Sequence, residues 1–156
     1  MKSIVRCALE HGMNYFDVAP WYGEAQRRLS VGLESVPRHD YYLATKVGRY
    51  NSNKSSDQWF DFSYARTVQS VHESLAIFKI DYIDLVQVNF NLSLFSFLFS
   101  MQMISCLIKV HDFVFAPDQS VVLRETLPAL DKLRQEGQIR YIGLDDYSLE
   151  SIKNNF

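Results

Sequence analysis

The sequence predicts an α/β protein in which parallel strands alternate with helices. Short apolar runs typical of strands recur between segments with helical periodicity along most of the 156 residues. Right-handed crossovers between such strands place the helices outside the sheet. The composition, 47% hydrophobic and 22% charged, is that of a globular domain that can bury a core.

In the first half of the chain, the pattern predicts two helices and two strands. Helical spacing over residues 3–11 is followed by Gly12, which is typical of a helix end. A short apolar strand is predicted over 15–19, a helix over 28–35 and a second strand over 42–47. The polar stretch 49–61 is predicted to be a long loop.

The second half begins with Ser63, which is a suitable N-cap for a helix that buries one stripe of side chains, Val68, Val71, Leu75 and Phe78. A third strand is predicted over 82–88 and a fourth over 139–144. Between them lies a helix that ends at Gly137 and carries the stripe Leu123, Leu127, Leu130 and Leu133. Ser148 is predicted to cap a last helix.

Charge and cysteine content exclude several classes of function. The net charge of −2 gives no electrostatic case for binding nucleic acid or an anionic membrane. Cys7 and Cys106 form no metal or redox motif, and no metal site is expected. A disulfide framework is not expected either, so a reducing, cytoplasmic location is predicted. Residues 1–9 are interrupted by charge and are predicted to form a helix rather than a signal peptide.

Periodicity alone does not separate a closed barrel from a doubly wound open sheet. The sequence has no Gly-x-Gly-x-x-Gly after any predicted strand, which disfavours a Rossmann domain. The choice between the two architectures therefore depends on more specific motifs.

Three stretches of the chain together carry four residues of chemical interest: Asp17, Tyr22, Lys46 and His111. They are Asn14-Tyr15-Phe16-Asp17-Val18-Ala19-Pro20-Trp21-Tyr22-Gly23, Ala44-Thr45-Lys46-Val47-Gly48-Arg49 and His111-Asp112-Phe113-Val114-Phe115-Ala116-Pro117. In this order they resemble the aldo-keto reductase superfamily of nicotinamide-dependent (β/α)8-barrel oxidoreductases, and in particular its sugar 1-dehydrogenases. The resemblance implies a partial TIM barrel of about four βα units.

The resemblance also implies a catalytic set and a cofactor, NAD(H) or NADP(H). A phenol exchanges a proton with substrate near neutral pH only if its pKa is lowered, which an adjacent ammonium achieves. In the family pattern Tyr22 is this acid or base, Lys46 is the cation, Asp17 fixes the lysine and His111 orients the substrate oxygen. Trp21, Tyr22 and His111 would contact a small carbonyl or sugar substrate, and Asp17 and Asp145 would contact the cofactor.

The predicted barrel is incomplete. A (β/α)8 barrel needs roughly 250 residues, and half a barrel leaves strand edges with unpaired backbone groups. The chain alone is therefore expected to have little or no activity. It is also expected to associate with itself through these edges, and a non-catalytic isoform that does so, or that binds a partner, is the alternative function.

Residues 89–110 interrupt the family pattern between Val88 and His111. Phe, Leu, Ser and Met dominate this run, and its removal joins Val88 directly to His111 as the family pattern requires. We interpret it as an insertion that resembles translated intron. A membrane-spanning segment over 92–108 and a buried or surface helix are the other interpretations, although 92–108 is shorter than the ~20 residues a span needs.

Trp59 and Phe60, in the loop before Ser63, are open to two interpretations, surface packing or lining of a substrate pocket. The remaining histidines, His11, His39 and His72, are predicted to be solvated.

Overall fold

Four parallel strands form one sheet in the order β1-β2-β3-β4. The structure is a computed structural model that describes residues 1–50, 59–89 and 119–145. The strands are β1 (Tyr15–Asp17), β2 (Tyr42–Val47), β3 (Ile83–Asn89) and β4 (Ile139–Asp145). Neighbours in space are neighbours in sequence, as in a (β/α)8 barrel, whereas strand order reverses in a doubly wound sheet. The predicted α/β class and partial barrel are confirmed.

The helices α1 (Lys2–Glu10), α2 (Ala25–Leu33) and α3 (Tyr64–Phe78) connect or precede these strands. The N-cap at Ser63 is confirmed, because its hydroxyl accepts a hydrogen bond from the backbone N–H of Arg66. The predicted start of α2 at residue 28 is wrong, since the helix begins three positions earlier. Gln26 explains the error: this polar side chain is buried and donates hydrogen bonds to Thr45 Oγ1 and Ser74 Oγ, both 3.0 Å away.

The last described helix, α4, consists of an α-helical turn (Gln119–Val121), a π-helical turn (Val122–Thr126) and an α-helix (Leu127–Gln135). In the π turn Leu127 N–H donates to Val122 O, which adds a residue to the turn and rotates the buried face. Val122 and Thr126 are therefore fully buried, whereas Leu123 and Leu127 are only partly buried. Within the predicted leucine stripe, Leu130 and Leu133 are confirmed as fully buried, and Leu127 packs against the core while only partly buried. Val122 and Thr126, which the sequence did not single out, take the fully buried positions of the first half.

The strands are close to their predicted bounds. The strand β1 ends at Asp17 instead of residue 19, although Val18 N–H still donates to Ala44 O at 3.1 Å. The predicted bounds of β2 are confirmed. The strand β3 is shifted by one residue, to Ile83–Asn89, and β4 extends one residue further than predicted, to Asp145. Apart from Asn89, the predicted insertion lies outside the described residues, as do His111 and the predicted helix after Ser148.

The two faces of the sheet differ in their cover. Leu43, Thr45 and Val47 of β2 are buried on one face, where Thr45 meets the helices through Gln26. Alternate residues of each strand point to the opposite face. The strand register places Tyr15, Tyr42 and Tyr141 on this opposite face, where they are 53%, 51% and 68% exposed. This second face corresponds to the interior of a closed barrel.

A buried carboxylate joins three strands near their N-terminal ends. Asp84 accepts hydrogen bonds from the guanidinium of Arg38, from Leu43 N–H (2.9 Å) and from Arg140 Nη1 (3.0 Å). Both guanidinium groups also stack on the ring of Tyr82, at 4.0 and 4.1 Å from its centroid. In barrels this end of the strands supports stability, whereas chemistry occurs at the other end.

Candidate active site

Asp17 and Lys46 form an ion pair at the C-terminal edge of the sheet. Asp17 is the last residue of β1 and Lys46 the penultimate residue of β2. Because Asp17 pairs in register with Ala44, two residues before Lys46, both side chains extend from the same face of the sheet. Lys46 Nζ lies 3.5 Å from Asp17 Oδ2, with the lysine side chain 8% and the aspartate side chain 39% exposed.

This arrangement concentrates charge in a partly dry environment. An ammonium with so little water around it exerts a stronger field on its neighbours than it would in bulk solvent. The more exposed carboxylate limits the cost of burying the lysine charge and restricts its position. The ammonium of Lys46 can therefore stabilise negative charge that develops on a neighbouring group.

Tyr22 and Trp21 lie in the turn that leaves β1 beyond Asp17. Tyr22 N–H donates to Ala19 O at 3.0 Å, and Ala25 N–H donates to Tyr22 O at 3.2 Å, so the turn leads directly into α2. The side chain of Tyr22 is half exposed. Half of this residue is therefore open to solvent, in the loop beyond the strand that carries Asp17.

Trp59 and Phe60 pack against other aromatic rings beside this turn. The ring of Trp59 lies 5.1 Å from that of Trp21, and Phe60 stacks on Phe62 at 6.1 Å. Both side chains are also partly exposed. Packing is thus observed for both residues, and lining of a pocket stays a prediction.

The structure brings together only part of the predicted set. Asp17 and Lys46 are in contact, and Trp21 and Tyr22 lie in the loop beyond the same strand end. Asp145 ends β4 at this edge, and its side chain lies outside the described part. The roles predicted for these residues and for His111 therefore stay predictions.

Sequence reasoning gave no role to Arg49, whose guanidinium lies 3.6 Å from the centroid of the Trp21 ring. One signal in the sequence could have identified it. Arg49 follows Lys46 by three positions, after a glycine, so it extends from the end of a strand that already carries a candidate catalytic residue.

Neither a metal cluster nor a membrane span is present in the described part. Over residues 1–50, 59–89 and 119–145, His, Cys, Asp and Glu side chains form no group of three that could hold a metal ion. No helix within the same ranges is long and apolar enough to cross a membrane.

Comparison with known proteins defines the family. The sequence model of the family described as "Aldo/keto reductase family" matches residues 1–155, and the chain therefore belongs to this family. Among curated relatives, it is 36% identical over 150 residues to L-galactose dehydrogenase of Arabidopsis thaliana, covering 94% of this chain and 38% of that protein. It is 29% identical over 160 residues to D-arabinose 1-dehydrogenase of Saccharomyces cerevisiae, covering 97% and 38% respectively.

Solved structures agree. An aldo-keto reductase from Bacillus halodurans, in its holo form, superimposes with a TM-score of 0.70 and 29% identity, covering 98% of this chain and 43% of that chain. A Pseudomonas aeruginosa protein described as an aldo-keto reductase gives a TM-score of 0.74 with 26% identity, covering 99% and 51%. The chain thus spans about two fifths of the curated relatives and about half of these structures.

Proposed function

We propose that this chain carries the proton-transfer residues of an NAD(P)-dependent oxidoreductase that interconverts an aldehyde, ketone or aldose and its alcohol or lactone. The observation that carries the proposal is the Asp17–Lys46 ion pair at the C-terminal edge of parallel strands, where (β/α)8 enzymes perform their chemistry. Membership of the aldo/keto reductase family supports the same assignment.

In the proposed mechanism, the phenol of Tyr22 gives a proton to the carbonyl oxygen during reduction and takes it back during oxidation. Lys46 stabilises the phenolate that forms, and the carboxylate of Asp17 holds the ammonium in place. His111 orients the substrate oxygen, and Trp21 contacts the substrate beside Tyr22. The nicotinamide cofactor, when bound, supplies or accepts the hydride.

The described residues fit the reacting end of such a cofactor. The ammonium of Lys46, which pairs with the carboxylate of Asp17, and the phenol of Tyr22 would supply the donors and acceptors that proton transfer at an oxygen needs. Asp17 and, after β4, Asp145 are the residues we assign to the nicotinamide end. The choice between NAD(H) and NADP(H) stays open in this proposal.

The proposed substrates are small carbonyl compounds and sugars. Two relatives are named as dehydrogenases of L-galactose and of D-arabinose, and another is named as a methylglyoxal reductase. The proposed compartment is the cytoplasm, where the exposed free thiol of Cys7 would stay reduced. Localisation of a fluorescent fusion in cells tests the compartment, and accumulation in a secretory organelle would contradict it.

A hybrid barrel tests the proposed activity. Residues 1–88 and 111–156 would be joined to those parts of the Arabidopsis relative that the match does not cover, so that the barrel is complete. Oxidation of L-galactose would be measured by the formation of reduced nicotinamide. Lys46→Met is expected to lower kcat about 10²-fold or more, because proton transfer loses its cation. Lys2→Met is the matched control: this lysine also pairs with a carboxylate, that of Glu34 at 3.0 Å, but both are exposed and lie in another part of the fold. Equal rates in the two variants would contradict the proposal.

We also propose that residues 89–110 are an insertion resembling translated intron within a single partial domain that spans residues 1–156. The supporting observation is the register of β3, which stays paired with β4 up to Asn89 and Asp145 and so reaches the junction as a regular strand. Sequencing of the cDNA across codons 85–115 tests this. Codon 88 joined to codon 111 in the message would support the proposal, and an uninterrupted message would contradict it.

A non-catalytic chain that associates with itself is the second candidate. It is favoured by the exposure of Tyr15, Tyr42 and Tyr141 on the face that a closed barrel would bury. Within the described sheet, β1 and β4 each pair with only one strand. Size-exclusion chromatography with light scattering discriminates: a discrete oligomer that dissociates when Tyr141→Lys is introduced would support this candidate, and a monomer would contradict it.

A further inference from the structure

One buried amide oxygen on the sheet has no hydrogen-bond donor. The oxygen is Gln87 Oε1 on β3, which is shielded from solvent and has no donor within hydrogen-bond distance. On the four strands that the structure describes, no other side chain has such an atom. Buried polar atoms in proteins are almost always paired, and an unpaired acceptor is destabilising. The amide of Gln87 is therefore available to bond a donor on a neighbouring element.

The register of the sheet places Gln87 beside Lys46. Lys46 pairs in register with Gln87, and Gln87 pairs with Gly143, so these residues form one row across β2, β3 and β4. Residues in register on adjacent parallel strands project to the same face, and the strands are about 4.8 Å apart. The row therefore lies on the face that corresponds to the barrel interior, which also carries Asp17.

Lys46 has a hydrogen-bond acceptor on each of the two strands that flank it. The strand β2 lies between β1 and β3. The carboxylate of Asp17 on β1 is 3.5 Å from the Lys46 ammonium, and the amide of Gln87 extends from β3 on the other side. An ammonium has three N–H donors, so it can hold acceptors on both sides in addition to its other contacts. Two opposed acceptors would restrict the ammonium more than Asp17 alone does.

Gly143 leaves room in the row for the side chain of Gln87. A Cβ at position 143 would lie 3.1 Å from Gln87 Cγ and 3.2 Å from Leu85 Cδ1, closer than ordinary contacts. Because Gly143 adds no side chain, the ammonium of Lys46 and the amide of Gln87 are the two polar side-chain groups of this row. The amide can therefore rotate towards Lys46 without displacing a third side chain of the row.

We propose that Gln87 is a positioning residue, whose amide oxygen accepts a hydrogen bond from the Lys46 ammonium on the side opposite Asp17. Rotation of the Gln87 side chain forms this bond and gives the buried oxygen its donor. Gln87 acts through Lys46, because the position of the ammonium determines how strongly it stabilises the phenolate of Tyr22. This inference rests on the proposed oxidoreductase function.

Titration of Lys46 tests the bond without any activity measurement. The 156-residue chain would carry lysine labelled with ¹³C at Cε, and Lys46→Met would identify the signal of Lys46 by its loss. Gln87→Met has a similar length but no strong acceptor, so Lys46 should lose its proton about one pH unit lower. Gln87→Glu offers a carboxylate instead and should move this titration to higher pH. Unchanged titration, or a shift in the same direction in both variants, would overturn the proposal.

The surroundings of Lys46 supply the controls for this titration. Among the described side chains on the same face of the strands, the other ionisable groups are Asp17, Tyr15, Tyr42 and Tyr141, and the variants leave all of them in place. Gln138→Met is the matched control, since Gln138 is also partly buried but bonds His72 at 2.9 Å at the opposite end of the sheet. It should leave the titration of Lys46 unchanged. Urea unfolding of each variant verifies that it is folded.

Kinetics of the hybrid barrel test the positioning role. Gln87→Met should lower kcat for L-galactose oxidation about tenfold and leave KM unchanged, because the ammonium acts in proton transfer and not in substrate binding. Gln138→Met should leave both constants unchanged. An unchanged kcat in Gln87→Met, or a rise in KM that accounts for the whole loss of kcat/KM, would overturn the positioning role.

Failure of this inference can be distinguished from failure of the proposed function. If the two Gln87 variants shift the Lys46 titration in opposite directions but the hybrid shows no turnover, the bond is supported and the oxidoreductase function is not. If the hybrid oxidises L-galactose and Lys46→Met slows it, while Gln87→Met changes neither the titration nor kcat, the function stands and the inference is overturned.

Discussion

Gly48 occupies a position next to the candidate site that no other residue should tolerate. Its φ of +103° lies in a region that L side chains rarely adopt. A Cβ built on it would lie 2.3 Å from Phe62 Cε1 and 2.7 Å from Phe62 Cζ, whereas ordinary contacts lie at 3.4–4 Å. Phe62 is buried and stacks on Phe60, so its ring has little room to withdraw.

We therefore predict that Gly48→Ala lowers the free energy of unfolding by about 2–6 kcal/mol. Overpacking contributes about 1–3 kcal/mol, and an unfavourable backbone conformation contributes about 1–3 kcal/mol. Gly137→Ala is the matched control, because Gly137 also has a positive φ (+78°) but nothing lies within 4 Å of its Cβ position. This control should lose only the backbone contribution.

Urea unfolding followed by circular dichroism measures both effects. Repeating Gly48→Ala in a chain that already carries Phe62→Ala isolates the steric contribution. Without the Phe62 ring, Gly48→Ala should lower the free energy of unfolding no more than Gly137→Ala does in the original chain. Equal losses for Gly48→Ala and Gly137→Ala in the original chain would show that contact with Phe62 does not restrict position 48.

Two further predictions concern ionisable groups. Asp84→Ala should lower the free energy of unfolding by about 3–5 kcal/mol, because it leaves the largely buried Arg38 guanidinium without its carboxylate. Asp131→Ala is the control: it removes an exposed ion pair with Arg134 and should change the free energy of unfolding in urea little. Burial raises the pKa of Tyr50. The neutral phenol of Tyr50 therefore contributes its full stabilisation below about pH 10, and this stabilisation is lost as the pH rises through the raised pKa. The urea concentration at the midpoint of unfolding should fall less at alkaline pH in Tyr50→Phe than in the original chain. An equal fall in both proteins would contradict this assignment.

Much of the fold could be predicted because its signals are local. Alternation of strands and helices, the Ser63 cap and the bounds of β2 follow from residue types and their spacing. The start of α2 and the π turn of α4 could not be predicted this way, because both depend on partners distant in sequence. Gln26 is buried by its bonds to Thr45 and Ser74, and Thr126 is held by a 2.6 Å bond to Phe62 O.

The candidate site shows the same division. The contact between Asp17 and Lys46 was implied by the resemblance to the aldo-keto reductases, and the predicted positions of both residues at the ends of adjacent parallel strands agree with it. The stacking of Arg49 on Trp21 depends on how the chain returns after β2, where Arg49 bridges Phe60, and no local pattern encodes that geometry. Asp84 gave a weaker signal, a charge within an apolar strand, which indicates a buried partner but does not identify Arg38 or Arg140.

Substitution of Tyr22 tests the central claim, that Asp17, Tyr22, Lys46 and His111 form a proton-transfer set. Tyr22→Phe in the hybrid barrel removes one hydroxyl from a half-exposed side chain, so it should leave folding and cofactor affinity unchanged. We expect kcat for L-galactose oxidation to fall about 10²- to 10⁴-fold. A kcat within about threefold of the unsubstituted hybrid, with the same cofactor affinity, would show that Tyr22 does not transfer the proton.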